Sequence, residues 1–181
     1  MNTEQRYEGS RRPSVERAVA SHAKRSDEGR RAAEELASRE LRAASLLAGL
    51  GAEADTRDLA SAFADVGTPV LLARLRLERE LRLTERTVAM VGAAQRDLDG
   101  LFELVADGTP PRAELVLAAE SSLAEAHALH RHARERLDDA LALGRRAAQT
   151  FDAQLEALRA ALHARSERTG RPSVAGLVGA A

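Results

Sequence analysis

Between Pro111 and Arg168 the chain contains no proline and a single glycine, Gly144. Proline breaks a helix interior by removing a hydrogen-bond donor and clashing with the preceding turn, so its absence over so long a stretch permits one uninterrupted helix. Apolar or small residues recur there at seven-residue intervals: Val116, Leu123, His130, Leu137, Gly144, Phe151 and Leu158. Leu141, Leu155 and Leu162 flank that line on one side, and Ala126, Ala133, Ala140 and Ala147 on the other. This spacing predicts a helix over about 110–168 with one face against neighbours, roughly 88 Å long at 1.5 Å per residue.

A helix of that length needs partners, and the rest of the chain is composed to supply them. Alanine, glutamate, lysine, leucine and arginine make up 109 of the 181 residues, while isoleucine and tryptophan are absent. Such usage marks long helices rather than sheets. A second seam, Val70, Leu77, Leu81, Thr84, Val88, Val91, Leu98 and Phe102, predicts a helix over about 69–106. A first helix over about 14–48 has a convincing stripe only from Leu36 through Leu41, Leu46, Leu47 and Leu50. Its earlier half is polar on nearly every face, which predicts fraying before Arg30. A short helix at 56–66, capped by Asp55, would bury Leu59, Phe63 and Val66.

The boundaries are marked by glycine and proline. GLGAEAD at 49–55 ends the first helix. Its Gly49, Gly51 and Ala54 have dinucleotide-loop spacing, but a helix precedes them where that motif requires a strand. Gly-Thr-Pro occurs at 67–69 and again at 108–110. In each, glycine can end one helix in the left-handed conformation, threonine can cap the next, and proline fits its first turn. The expected organisation is a flexible segment 1–13, one helical-bundle domain 14–168 and a flexible tail 169–181. The expected fold is all-α: an elongated antiparallel bundle or coiled coil of three long helices and one short one.

Several function classes lose their chemistry at this stage. There is no cysteine, hence no thiol nucleophile, disulfide or cysteine-ligated zinc. A formal charge of −1 gives no global field for nucleic acid or anionic lipid. No run approaches the ~20 apolar residues of a membrane span, and the first twenty residues lack a signal-peptide core, which points to a cytoplasmic protein. The cluster HALHRH at 127–132 holds three of the five histidines. His127 and His130 share a face, but His132 lies roughly 200° around the axis at ~100° per residue. Zinc needs three or four ligands, so no metal, cofactor or catalytic residue is expected. His130 is instead expected to be a polar interruption in the seam, which can fix register.

One stretch points elsewhere. LERELRLTERTVAMV at 77–91 resembles the helix-turn-helix of bacterial transcription regulators, in which a Leu-Ser/Thr-x-Arg-Thr-Val segment opens the recognition helix. The resemblance implies a turn at Arg82 and Leu83, a cap at Thr84, and Arg86 and Thr87 facing the major groove. Arg82 stands where glycine is usual, and the seam through 70–102 competes with the turn.

The principal expectation is therefore a non-enzymatic interaction protein, a scaffold, adaptor or assembly component, with nucleic acid as an improbable partner. An antiparallel hairpin of the second and third helices would cover the third only to about Gln149. That leaves Phe151, Leu155, Leu158 and Leu162 as the expected partner-binding surface, most simply in a homo-oligomer.

Overall fold

A computed structural model describes the backbone of residues 3–52, 56–106, 108 and 111–169, and the side chains of 19–52, 56–104, 108 and 111–168. The described residues form four α-helices: α1 (Thr3–Ala52), α2 (Arg57–Ala62), α3 (Thr68–Ala106) and α4 (Ala113–Thr169). No strand occurs among them. The chain is an all-α helical bundle.

The helix ends differ from the sequence expectation in instructive ways. α1 begins at Thr3 and continues through Gly49 and Gly51 to Ala52. The short helix is confined to Arg57–Ala62, with turns over 63–67. Asp55 lies outside the described residues; beside it, Thr56 is buried and its hydroxyl donates to the Leu50 carbonyl at 2.7 Å. The two Gly-Thr-Pro segments do not play the same part. Gly108 has φ +80, the left-handed conformation expected just beyond a helix end. Gly67 does not; its carbonyl accepts the first bond of α3, from Leu71 N at 3.0 Å. A Cβ on Gly67 would stand 3.1 Å from that of Ala43, so this glycine serves a close approach of α3 to α1. α4 starts at Ala113, just beyond Pro111, while Thr109 and Pro110 lie outside the described residues.

The long helices build two compact units. The first comprises α1 to Arg30, α3 from Arg79 and α4 to Asp139; the second comprises Arg31–Glu78 and α4 from Ala140. In the first unit Thr87 meets His130 and Glu80 meets Arg136, so α3 and α4 run antiparallel. Val91, Ala94 and Ala126 form a small core there with Leu123 against it. In the second unit Glu40 meets Arg74 while Ala43 faces Gly67, which makes α1 antiparallel to α3. α1 runs parallel to α4 in that unit: Gly144 faces Leu36, and Arg39 pairs through two bonds with Asp152 at 3.2 and 3.0 Å.

Burial follows the predicted periodicity. On α3 the buried positions step by three and four through Val70, Ala73, Leu77, Leu81, Thr84, Thr87, Val91, Ala94 and Leu98. On α4 they run Ala126, His130, Ala133, Leu137, Ala140, Gly144, Ala147 and Phe151, then Leu155, Leu158 and Leu162. Two four-residue steps in succession, from Ala147 through Phe151 to Leu155, hold the buried stripe on one face, since an α-helix has 3.6 and not 3.5 residues per turn. Small residues dominate α4's stripe before Phe151. A Cβ on Gly144 would lie 3.3 Å from Leu36 Cδ1, so the helices approach where side chains are smallest.

Candidate functional site

The four residues expected to bind a partner are interior. Phe151, Leu155, Leu158 and Leu162 are 1%, 5%, 3% and 5% exposed. The second unit does not leave this part of α4 to a hairpin alone: α1 runs alongside it, with Leu36 against Gly144 and Arg39 bonded to Asp152, and buries Leu36, Ala43, Leu46 and Leu50 in that unit. α2 adds cover further on, where Asp58 receives two bonds from Arg165 Nη1 at 2.8 and 2.7 Å. That guanidinium, through its hydrogen bonds, holds the Asp58 carboxyl below the usual range. The expectation of an uncovered seam is therefore corrected: the chain covers it itself.

The helix-turn-helix expectation is also corrected. α3 is continuous across Arg82, Leu83 and Thr84. Thr84 caps nothing; it is fully buried, and its hydroxyl donates to the Glu80 carbonyl at 2.7 Å, with the Ala133 carbonyl 3.4 Å away. Thr87 is buried against His130, and only Arg86 of the implied base-reading pair is exposed. The seam prevailed because a turn at 82–83 would have taken Thr84, Thr87 and Val91 out of the buried stripe.

The histidines separate as the helical geometry demands. His132 is exposed and lies 3.4 Å from Glu135, whereas His127 is half-buried and His130 is buried. Among the described residues no three metal-ligating side chains converge. His130 instead belongs to a polar layer inside the first unit, whose other members are His22 and Ser26 on α1 and Glu80, Thr84 and Thr87 on α3. The rings of His22 and His130 stand edge to face, with centroids 5.7 Å apart and planes at 69°. Ser26 Oγ lies 3.3 Å from His22 Nε2, and Thr87 Oγ1 3.2 Å from His130 Nδ1. Arg136 Nη2 donates to Glu80 Oε1 at 2.7 Å. Burial lowers both imidazoles below their ordinary pKa of 6.5.

Sequence reasoning found His130 and missed His22, Ser26 and Glu80. A signal was present: His22, Gly29, Leu36, Ala43 and Leu50 recur every seven residues, so the leucine stripe of α1 extends backward through small and polar side chains. Glu80 was harder to find, because it neighbours Leu81 on an arginine-rich helix where a charge is ordinarily solvated.

A third feature lies at the surface. Phe102 and Leu104 near the end of α3, and Leu115 and Leu117 near the start of α4, are 41%, 45%, 52% and 65% exposed. Continuing the antiparallel register of Thr87 with His130 sets Phe102 level with Leu115 in the first unit. No protein family, curated protein or solved structure matches the chain.

Proposed function

We propose that this chain is a non-enzymatic helical interaction protein, of scaffold, adaptor or assembly type, that docks a protein through the α3–α4 end of the first unit. The observation that carries the reading is the exposure of Phe102, Leu104, Leu115 and Leu117 on two antiparallel helix ends. Isolated exposed leucines are ordinary, but here each helix end exposes two large apolar side chains roughly 200° apart at ~100° per residue, which leaves apolar surface on more than one side for a partner to cover. The partner is a protein surface with its own apolar residues, and a second copy of this chain in a coiled-coil-like pairing is the simplest form. A cytoplasmic location goes with this proposal, in keeping with the lack of cysteine; no helix among the described residues is long and apolar enough to cross a membrane.

Light scattering at micromolar concentration should give a mass above the 19.4 kDa of one chain. Substituting Phe102→Asp, Leu115→Asp and Leu117→Asp together should return that mass to one chain. The circular-dichroism melt should shift by only a few degrees, since exposed substitutions usually change stability by about 0.5 kcal/mol or less. A chain that is monomeric at every concentration sends the test to in-cell crosslinking with the same triple variant. Crosslinks from this end that are lost in the variant would sustain the reading with a different partner; their absence would end it.

A further inference from the structure

Between Val19 and Arg30, where its side chains are described, α1 buries no large apolar residue in the first unit. From Val19 to Arg30 the buried residues are His22, Ser26 and Gly29, while Val19 itself is 48% exposed. Gly29 allows a close approach, because a Cβ there would stand 2.6 Å from Leu81 Cδ2. At the rim Arg25 pairs with Asp138 at 3.0 Å and Arg30 with Glu85 at 3.1 Å. Both pairs are substantially exposed, and such pairs contribute little. Among the described residues of this segment, the contact of His22 with His130 is the one that joins two buried titratable side chains across helices.

The proton positions in that contact follow from the hydroxyl beside it. Thr87 has one hydroxyl proton and donates it to the Thr84 carbonyl at 3.0 Å. Toward His130 it can then only accept, so His130 Nδ1–H donates to Thr87 Oγ1. Neutral His130 therefore carries its lone pair on Nε2, which is buried and has no partner among the described residues. His22 Nδ1 is buried and unpartnered in the same way. The layer accommodates two neutral rings, whereas an added proton would meet no acceptor among the described residues and would set a charge beside a second imidazole.

Charged and titratable groups reach the pair from all three helices. α1 brings Arg30, α4 brings Arg134 and His127, and α3 brings Glu85, with Glu80 held by Arg136. Burial acts most strongly against the charged forms, and Arg134 adds to it on both rings. His22 further opposes charging of His130, and Arg30 that of His22. Glu85 favours a charged His22, but it is engaged by Arg30.

We infer that the His22–His130 contact is an acid-opened latch, which holds the Val19–Arg30 segment of α1 against α3 and α4 while both rings are neutral and releases it when they take up protons. The direction follows from linkage. A base whose pKa is lowered in the closed form binds fewer protons there than in the open form. The latch is then fully closed above the ordinary histidine value of 6.5 and weakens as pH falls from 6.5 toward the lowered values. Two protons at most make the opening equilibrium rise by up to about a hundredfold per pH unit. Carboxylates with values near 4 stay ionised through most of that window, so the imidazoles dominate it.

Because the chain has no cysteine, Ala23→Cys and Arg131→Cys, both at exposed positions, can be spin-labelled specifically. Pulsed electron resonance should give one narrow α1–α4 distance at pH 8 and a broad, longer distribution at pH 5, reversing on return. With His22→Leu and His130→Leu added, the distance should stay narrow at pH 5. Proton resonances of the histidines in the unsubstituted chain give a reading that survives misfolding of that variant. Two of the five should titrate below 6.5, with the midpoint of the distance change. A distance unchanged to pH 5, an opening that persists in the double-leucine chain, or histidines that all titrate at the ordinary value would overturn the latch.

Discussion

Leu155→Glu combined with Leu158→Glu will abolish most of the cooperative thermal transition of the second unit, and will not merely alter the size of an assembly. Both side chains are interior. Each loses roughly 1.5–3 kcal/mol of apolar burial, and each new carboxylate enters a core that offers it no designed partner. Domains of this size are stable by about 5–15 kcal/mol in total, so the pair removes a large share of what holds the fold. Circular dichroism at 222 nm during heating is the direct measurement, with Leu72→Glu, 60% exposed in the same unit, as a control expected to melt near the unsubstituted chain. A double variant that melts like the unsubstituted chain would show that this seam is not the core described above.

Arg136→Leu will destabilise the first unit by about 2–3 kcal/mol, and Glu80→Met added to it will restore most of that loss. Glu80 is 3% exposed, one carboxylate oxygen accepts from Arg136 at 2.7 Å, and the other has no partner among the described residues. Removing one member of a fully buried ion pair costs about 3–5 kcal/mol, because a charge is left behind without compensation. The Arg136 side chain is 42% exposed, which lets water reach the pair and reduces the figure. Replacing both members by apolar residues removes the desolvation problem altogether. A double-mutant cycle in urea checks this: a double variant less stable than Arg136→Leu alone would mean that Glu80 is held by something other than the guanidinium.

The number and order of the helices were legible because leucine and alanine mark them at regular intervals. α3 shows this best: of its predicted seam Val70, Leu77, Leu81, Thr84, Val91 and Leu98 are buried, while Val88 is half-buried and Phe102 is exposed, and the buried face also decided against a turn at Arg82. What could not be read was adjacency. Periodicity identifies which side of a helix is buried but not which helix lies against it, so Phe151 and Leu155 looked uncovered while α1 was already beside them. The buried face of α1 between Val19 and Arg30 was missed for a related reason. Over those residues it is built from His22, Ser26 and Gly29, and a search for large apolar residues passes over a stripe made of small and polar ones.

The alanines that line α4 at Ala126, Ala133, Ala140 and Ala147 also constrain how this gene can vary. A single base change in an alanine codon yields only valine, threonine, serine, proline, glycine, aspartate or glutamate. Proline breaks the helix and glycine weakens it by about 1 kcal/mol. Valine and threonine overfill a space sized for a methyl group, at about 1–3 kcal/mol where neighbours cannot shift. The acids carry an unpaired charge inward. Serine alone is of similar size, and its hydroxyl can turn back onto the preceding carbonyl of the helix. These positions are thus nearly isolated in the genetic code: drift along α4 should accumulate on the arginine- and glutamate-bearing faces while the alanine columns stand still.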